Sequence, residues 1–166
     1  MSGYLHWGWR EPAFPKHNPM IASSPERTPD LLFVYGTLRR GFRFHHYLKR
    51  IAARYVTSGK VQAELFDLGE FPGARPSTRP GEIVAGELYR FHNVDNALKV
   101  LDQVEGFSPQ TPDKGLFRRG TAEVQLPNGE RRLAWIYWLK PGPGVRTRIV
   151  RRWAQARSSP LHAGFQ

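Results

Sequence analysis

Apolar and polar positions along this chain change period several times, and each change marks an element. Leu31, Leu32, Phe33 and Val34 form an apolar run of β type. The run breaks at Tyr35-Gly36-Thr37 and ends at Gly41, so residues 31–41 read as a strand delivering a loop. Phe44, Tyr47, Leu48 and Ile51 then fall at helical spacing, with Arg43, Lys49, Arg50 and Arg54 largely around them, which predicts a short amphipathic helix. Val61, Ala63 and Leu65 alternate with Lys60, Gln62 and Glu64, a half-buried strand. Residues 67–80 carry Pro72, Pro76, Pro80, Gly69 and Gly73 and read as a long rim loop.

Residues 82–91 are rich in β-formers. Gly86 within them points to a bulge or a close backbone approach, and Glu87 is most simply a solvent-facing strand residue. Asn93 is placed to cap a helix whose face is Val94, Ala97, Leu98 and Leu101, and Gly106 stands where a left-handed terminator belongs. Gly120, Ala122, Val124 and Leu126 alternate with Arg119, Thr121, Glu123 and Gln125, and Asn128-Gly129 turns the chain into a strand over 133–139. That second strand is apolar on both faces (Trp135, Ile136, Tyr137, Trp138, Leu139), so it is expected to be central, or covered by the N-terminal segment or another chain. Past 141–144, Val145, Ile149, Val150, Trp153 and Ala154 lie near helical spacing with Arg146, Arg148, Arg151 and Arg152 between them, a basic amphipathic helix. Strands outnumber helices and the two are interspersed, which predicts an α+β domain built on a small, strongly curved sheet or barrel.

Composition adds bounds. The 166 residues suit one domain with one core. Residues 1–30 hold Pro12, Pro15, Pro19, Pro25 and Pro29 without sustained periodicity and read as an extended or partly disordered leader, although Tyr4, Trp7, Trp9 and Phe14 are aromatics of the kind that bury against a domain or a partner subunit. The organisation is therefore a leader over 1–30, a domain over 31–140 and a basic tail over 141–166. No apolar run is long enough to span a bilayer and no secretory pattern opens the chain, so a cytoplasmic protein is expected. The absence of cysteine excludes disulfides, thiolate chemistry and cysteine-ligated zinc. The net charge of +11 is uneven: Arg146, Arg148, Arg151, Arg152 and Arg157 have no acid among them. Such a tail is either a solvated face or a patch for nucleic acid or another polyanion.

Two features carry candidate chemistry. Gly36 frees the backbone and lets a ligand approach main-chain N–H groups, and Thr37 adds a hydroxyl, so this loop can hold an anion or a developing oxyanion, or be an ordinary strand-to-helix turn. Glu105 ends the second helix, where the exposed carbonyls carry partial negative charge and favour cations. Both that field and any burial raise its pKa, and a residue that works against its local structure is a candidate for function. His45 and His46 are adjacent, point to different sides and lack a partner one turn away, so they suit a surface or pocket rim and no metal is expected. Nucleotide fingerprints, metal-dyad helices and nucleophile elbows are absent.

Read together, VYGTLRRG at 34–41, LFDLGEFPGA at 65–74, GELYRF at 86–91, LDQVEGF at 101–107 and AWIYWL at 134–139 resemble the gamma-glutamylcyclotransferase-like family in order and spacing. The resemblance implies a small mixed β-barrel flanked by short helices, with the Tyr-Gly-Thr-Leu loop and the acid facing one cavity. It implies intramolecular acyl transfer without cofactor: the α-amine of a gamma-glutamyl amine or peptide attacks its own γ-carbonyl, closing 5-oxoproline and expelling an amine. Glu105 matches the family's acid/base, and Tyr35, Gly36, Thr37, Leu38 and Tyr137 fall at the substrate and oxyanion positions. The chain departs from the pattern at Phe117-Arg118, where many relatives carry a tyrosine before the basic residue. Two other readings stand beside this one: a non-catalytic domain that binds polyanions through residues 146–157 and Trp153, and an interaction protein whose aromatic leader or final helix forms a homo-oligomer interface.

Overall fold

A strand that is apolar on both faces needs cover on both, and Leu31–Val34 (β1) has it, with all four residues buried. In the computed structural model, which describes residues 28–142, β1 pairs antiparallel with Ile83–Arg90 (β4) and parallel with Arg131–Leu139 (β6). Arg54–Asp67 (β2) pairs with β4 on one side, and Phe117–Gln125 (β5) pairs with β6. A contact between Lys60 of β2 and Gln125 of β5 closes the circuit β2-β4-β1-β6-β5 into a five-stranded barrel, with Pro72–Pro76 (β3) added outside along β2. His45–Arg50 (α1) and Val94–Glu105 (α2) are the two helices among the described residues. The leader up to residue 27 and the segment from 143 onward, including the expected basic helix with Trp153, lie outside the described residues.

Two cores follow from the alternation along the central strands. Phe33 of β1 and Ile136 of β6 belong to an inner cluster with Val61, Leu88 and Val124. Leu32, Val34, Tyr137 and Leu139 belong to a second cluster with Leu48 of α1 and Leu98 and Leu101 of α2, which places the helices on the outer wall. The doubly apolar strand at 133–139 is thus central, as expected, and the helix layer covers its outer side. Trp135 donates its Nε1–H to the Pro29 carbonyl at 2.9 Å.

The second helix forms as its sequence dictates. The Asn93 side chain accepts the Asn96 N–H at 2.9 Å, Ala97, Leu98 and Leu101 are buried, and Gly106 ends the helix at φ 63°. The hairpin turns at Asn128-Gly129, with Gly129 at φ 84°.

Two expectations need correction. Residues 67–80 are not simply a rim loop, because β3 lies within them and runs antiparallel to β2, with Leu65 opposite Ala74. Its prolines occupy the two ends of a strand at the sheet edge, where a missing N–H breaks no central ladder. Glu87 does not face solvent: it is 4% exposed, accepts hydrogen bonds from the Arg40 N–H and the Tyr89 hydroxyl, and pairs with the Arg40 guanidinium. Of the two readings of Gly86, close approach is the one observed. The register shift lies in β2 between Tyr55 and Thr57, and a Cβ on Gly86 would sit 2.4 Å from the Val34 carbonyl oxygen and 2.5 Å from Cζ of Phe33.

Gly86→Ala therefore forces β4 away from β1. It is expected to cost roughly 1–3 kcal/mol as an overpacking change, read as a lower urea midpoint. An unchanged midpoint would mean that the wall between β1 and β4 has slack at this point.

Candidate active site

The site begins where β1 ends. Tyr35 is buried, and its hydroxyl donates to the Tyr137 carbonyl at 2.8 Å and accepts the Ala74 N–H at 3.1 Å, so the start of the loop is tied to both β6 and β3. Gly36 serves close approach rather than a left-handed backbone: a Cβ there would meet Pro72 Cγ at 3.2 Å, whereas the positive φ in this loop, 81°, belongs to Gly41. The loop then closes on itself. The Arg39 N–H reaches the Gly36 carbonyl at 3.2 Å, the Phe44 N–H reaches the Thr37 carbonyl at 3.0 Å, and Nδ1 of His45 lies 3.0 Å from the Leu38 carbonyl. Three consecutive carbonyls are thus engaged. Among the described residues nothing accepts from the N–H groups of Gly36, Thr37 or Leu38.

Glu105 and this loop line one cleft of about 320 Å³. The carboxyl is half-buried: part of its surface opens on the cleft and protein atoms enclose the rest. Burial pushes its pKa up from 4.5 to about 7. It forms no ion pair among the described residues, and the last turn of α2 carries no basic side chain, so none of those residues supplies a cation to offset the lost solvation. Its charge is felt by two phenols of the cleft wall. Burial first and Glu105 second hold the Tyr35 hydroxyl far above the usual range, and Tyr137 is raised by burial, by its bond to Asp102 and, less, by Glu105.

The structure thus brings Tyr35, Gly36, Thr37, Leu38, Tyr137 and Glu105 to one cleft. The two tyrosines contribute their rings, since both hydroxyls are already committed, that of Tyr137 to Asp102 Oδ1 at 2.7 Å. Phe117 also lines the cleft, its ring 6.0 Å from that of Phe71. His45 packs beside Tyr89 with ring centroids 5.9 Å apart, and His46 is exposed; neither lines the cleft.

Sequence reasoning missed Asp102, which lies one turn before Glu105 and is buried. Its Oδ2 takes the Arg119 guanidinium at 2.7 Å while Oδ1 takes the Tyr137 hydroxyl, joining α2 to β5 and β6. A signal was present, because Leu98, Leu101, Asp102 and Glu105 follow one another at i, i+3, i+4 and i+7, so two acids continue the apolar stripe of the helix. Also missed as lining residues were Phe71 and Pro72 and the bend at Gly115 and Leu116 that leads into β5. Gly115 there has φ 75°, and a Cβ on it would stand 2.3 Å from the Gly106 carbonyl oxygen.

The sequence profile of the family described as "Gamma-glutamyl cyclotransferase, AIG2-like" matches residues 32–155. The chain is 32% identical over 127 residues to the gamma-L-glutamyl-butirosin B gamma-glutamyl cyclotransferase of Niallia circulans, covering 76% of each chain. It is 35% identical over 107 residues to a putative gamma-glutamylcyclotransferase of Vibrio cholerae, covering 64% of this chain and 79% of that one. Its fold is similar to the crystal structure of a mouse AIG2-like protein, with a TM-score of 0.57 at 24% identity over 70% of this chain and 81% of that one. The chain belongs to the gamma-glutamyl cyclotransferase, AIG2-like family, and its barrel with one extra strand and two helices is that family's fold.

The raised pKa of Glu105 has a consequence for stability. The folded state holds this proton more tightly than the unfolded chain does, so stability falls as pH rises from 4.5 to about 7 and then levels off. Glu105→Gln removes that slope. The variant is expected to match the wild type below about pH 4.5 and to gain on it by roughly 1–3 kcal/mol by pH 8, read from paired melting curves. A difference that does not change with pH, or a variant destabilised throughout, would contradict the uncompensated burial of this carboxyl.

Proposed function

We propose that the protein converts a gamma-glutamyl amine or peptide to 5-oxoproline and a free amine, with Glu105 as general acid and base and the 35–38 loop as the oxyanion and substrate site. The observation that carries this reading is the pairing in one cleft of a carboxyl held near neutrality by burial with a run of backbone N–H groups that have no acceptor among the described residues.

The chemistry suits those two parts. The substrate supplies its own nucleophile, so ring closure is intramolecular and needs chiefly a folded-back conformation. Glu105 in its carboxylate form takes a proton from the α-amine as the nitrogen attacks the γ-carbonyl. The carbonyl oxygen becomes an alkoxide, which the N–H groups of Gly36, Thr37 and Leu38 receive; a donor fixed in advance at that point is worth roughly 10²- to 10³-fold in rate. Glu105 then gives its proton to the departing nitrogen, the γ-carbon to nitrogen bond breaks, and the carbonyl re-forms in the five-membered lactam. No water is consumed and the carboxylate is regenerated. A carboxyl whose pKa is about 7 is suited to both transfers, because neither protonation state is strongly disfavoured at neutral pH. The rings of Tyr35 and Tyr137 and the Leu38 side chain form the wall against which the gamma-glutamyl group folds.

Mass spectrometry for 5-oxoproline across gamma-glutamyl amines and gamma-glutamyl peptides tests this. With an accepted substrate, kcat/KM is expected to rise with pH through an apparent pKa of about 7, and Glu105→Gln to lose roughly 10²- to 10⁴-fold in kcat with its fold intact. Turnover by the Gln variant in proportion to its folded fraction would remove Glu105 from the chemistry. Failure to release 5-oxoproline from any member of the panel would remove the activity itself.

A further inference from the structure

Glu87 is a carboxylate in the wall of the barrel, where an apolar residue would be the ordinary choice. It lies on β4 directly opposite Val34, the last residue of β1, and is 4% exposed. Its Oε2 accepts the Arg40 N–H at 3.1 Å and the Tyr89 hydroxyl at 2.9 Å, and Oε1 lies 3.5 Å from Nε of Arg40. The guanidinium of Arg40 in turn lies 3.8 Å above the Tyr55 ring, which meets Tyr89 edge-on at 5.7 Å.

Burying a carboxylate in a barrel wall costs free energy, and a pair whose cation is half in solvent does little to offset it. What this arrangement provides is geometry. The loop enters from Val34 and leaves at Arg40, and both ends close on the same residue: Val34 pairs with the Glu87 backbone, and the Arg40 N–H binds its side chain. Between these ends stand Gly36, Thr37 and Leu38.

We propose that Glu87 is a positioning residue for the reaction: its carboxylate fixes the exit of the 35–40 loop so that the backbone N–H groups of Gly36, Thr37 and Leu38 are held where the oxyanion forms. Glu87 does not line the cleft. This inference rests on the cyclotransferase reading of the site, and the two fail separately in the test below.

Steady-state kinetics of 5-oxoproline release would be measured on full-length Glu87→Met, Glu87→Gln and Arg40→Met, each normalised to folded protein. Donors that act on the transition state change kcat more than KM, so Glu87→Met is expected to lose at least about 10-fold in kcat with KM within about 3-fold. Glu87→Gln keeps an oxygen for the Arg40 N–H and is expected to recover most of that loss. Arg40→Met removes the guanidinium but keeps the N–H, and is expected to cost less than about 3-fold. Amide exchange at Arg40 should quicken in Glu87→Met and not in Glu87→Gln. If Glu87→Met does not fold, Glu87→Asp takes its place, since it keeps the charge and withdraws the oxygen from Arg40, and the same fall in kcat is expected. Wild-type kcat per folded molecule in the Met or Asp variant would overturn the positioning role while leaving the activity standing. A wild-type protein that releases no 5-oxoproline would overturn the activity and this role with it.

Discussion

The site hangs on one hydroxyl. That of Tyr35 donates to a main-chain carbonyl of β6 and accepts a main-chain N–H of β3, so three segments distant in sequence meet at a single oxygen. Both partners are backbone groups, which move only with their strands, and the ring itself is stacked 6.5 Å from Phe33 in the inner core. The position of the loop that follows is therefore decided by the barrel rather than by the loop. The Tyr-Gly-Thr segment so placed is one wall of a cleft whose other wall ends in Glu105.

The opposite wall shows how environment sets the role of a side chain. Asp102 and Glu105 stand one turn apart on the same helix. Asp102 receives a guanidinium and a phenol, so its charge is balanced and it works as a fastener between α2, β5 and β6. Glu105 receives neither, and burial alone moves its pKa to about 7. Two carboxyls one turn apart thus differ in their surroundings, one held by a guanidinium and a phenol and the other with a pKa raised by burial to about 7.

Much of this was legible in the sequence where local rules act alone. The second helix carries its own start and stop in Asn93 and Gly106, the hairpin carries its turn in Asn128-Gly129, and an acid at the C-terminal end of a helix stands out against the helix dipole. The barrel as such needed the family motifs as well, since its closure rests on a contact between β2 and β5 that no local pattern announces. What stayed hidden depends on neighbours far along the chain. β3 is a strand because β2 offers it a ladder, whereas its own prolines argue for a loop. Glu87 reads as an outward residue by alternation, yet Arg40 and Tyr89 make it tolerable inside. Asp102 looks like a polar position on a helix until Arg119 and Tyr137 arrive from the hairpin.

The central claim is that Glu105 is a carboxyl whose pKa burial raises toward neutrality, with no counter-ion among the described residues. Its titration reads this directly: ¹³C NMR of protein labelled at glutamate side-chain carboxyls, with Glu105→Gln used to assign the resonance. One signal, absent from the variant, is expected to titrate with a midpoint of about 7. A Glu105 resonance that titrates at the ordinary value of 4.5 would contradict the account.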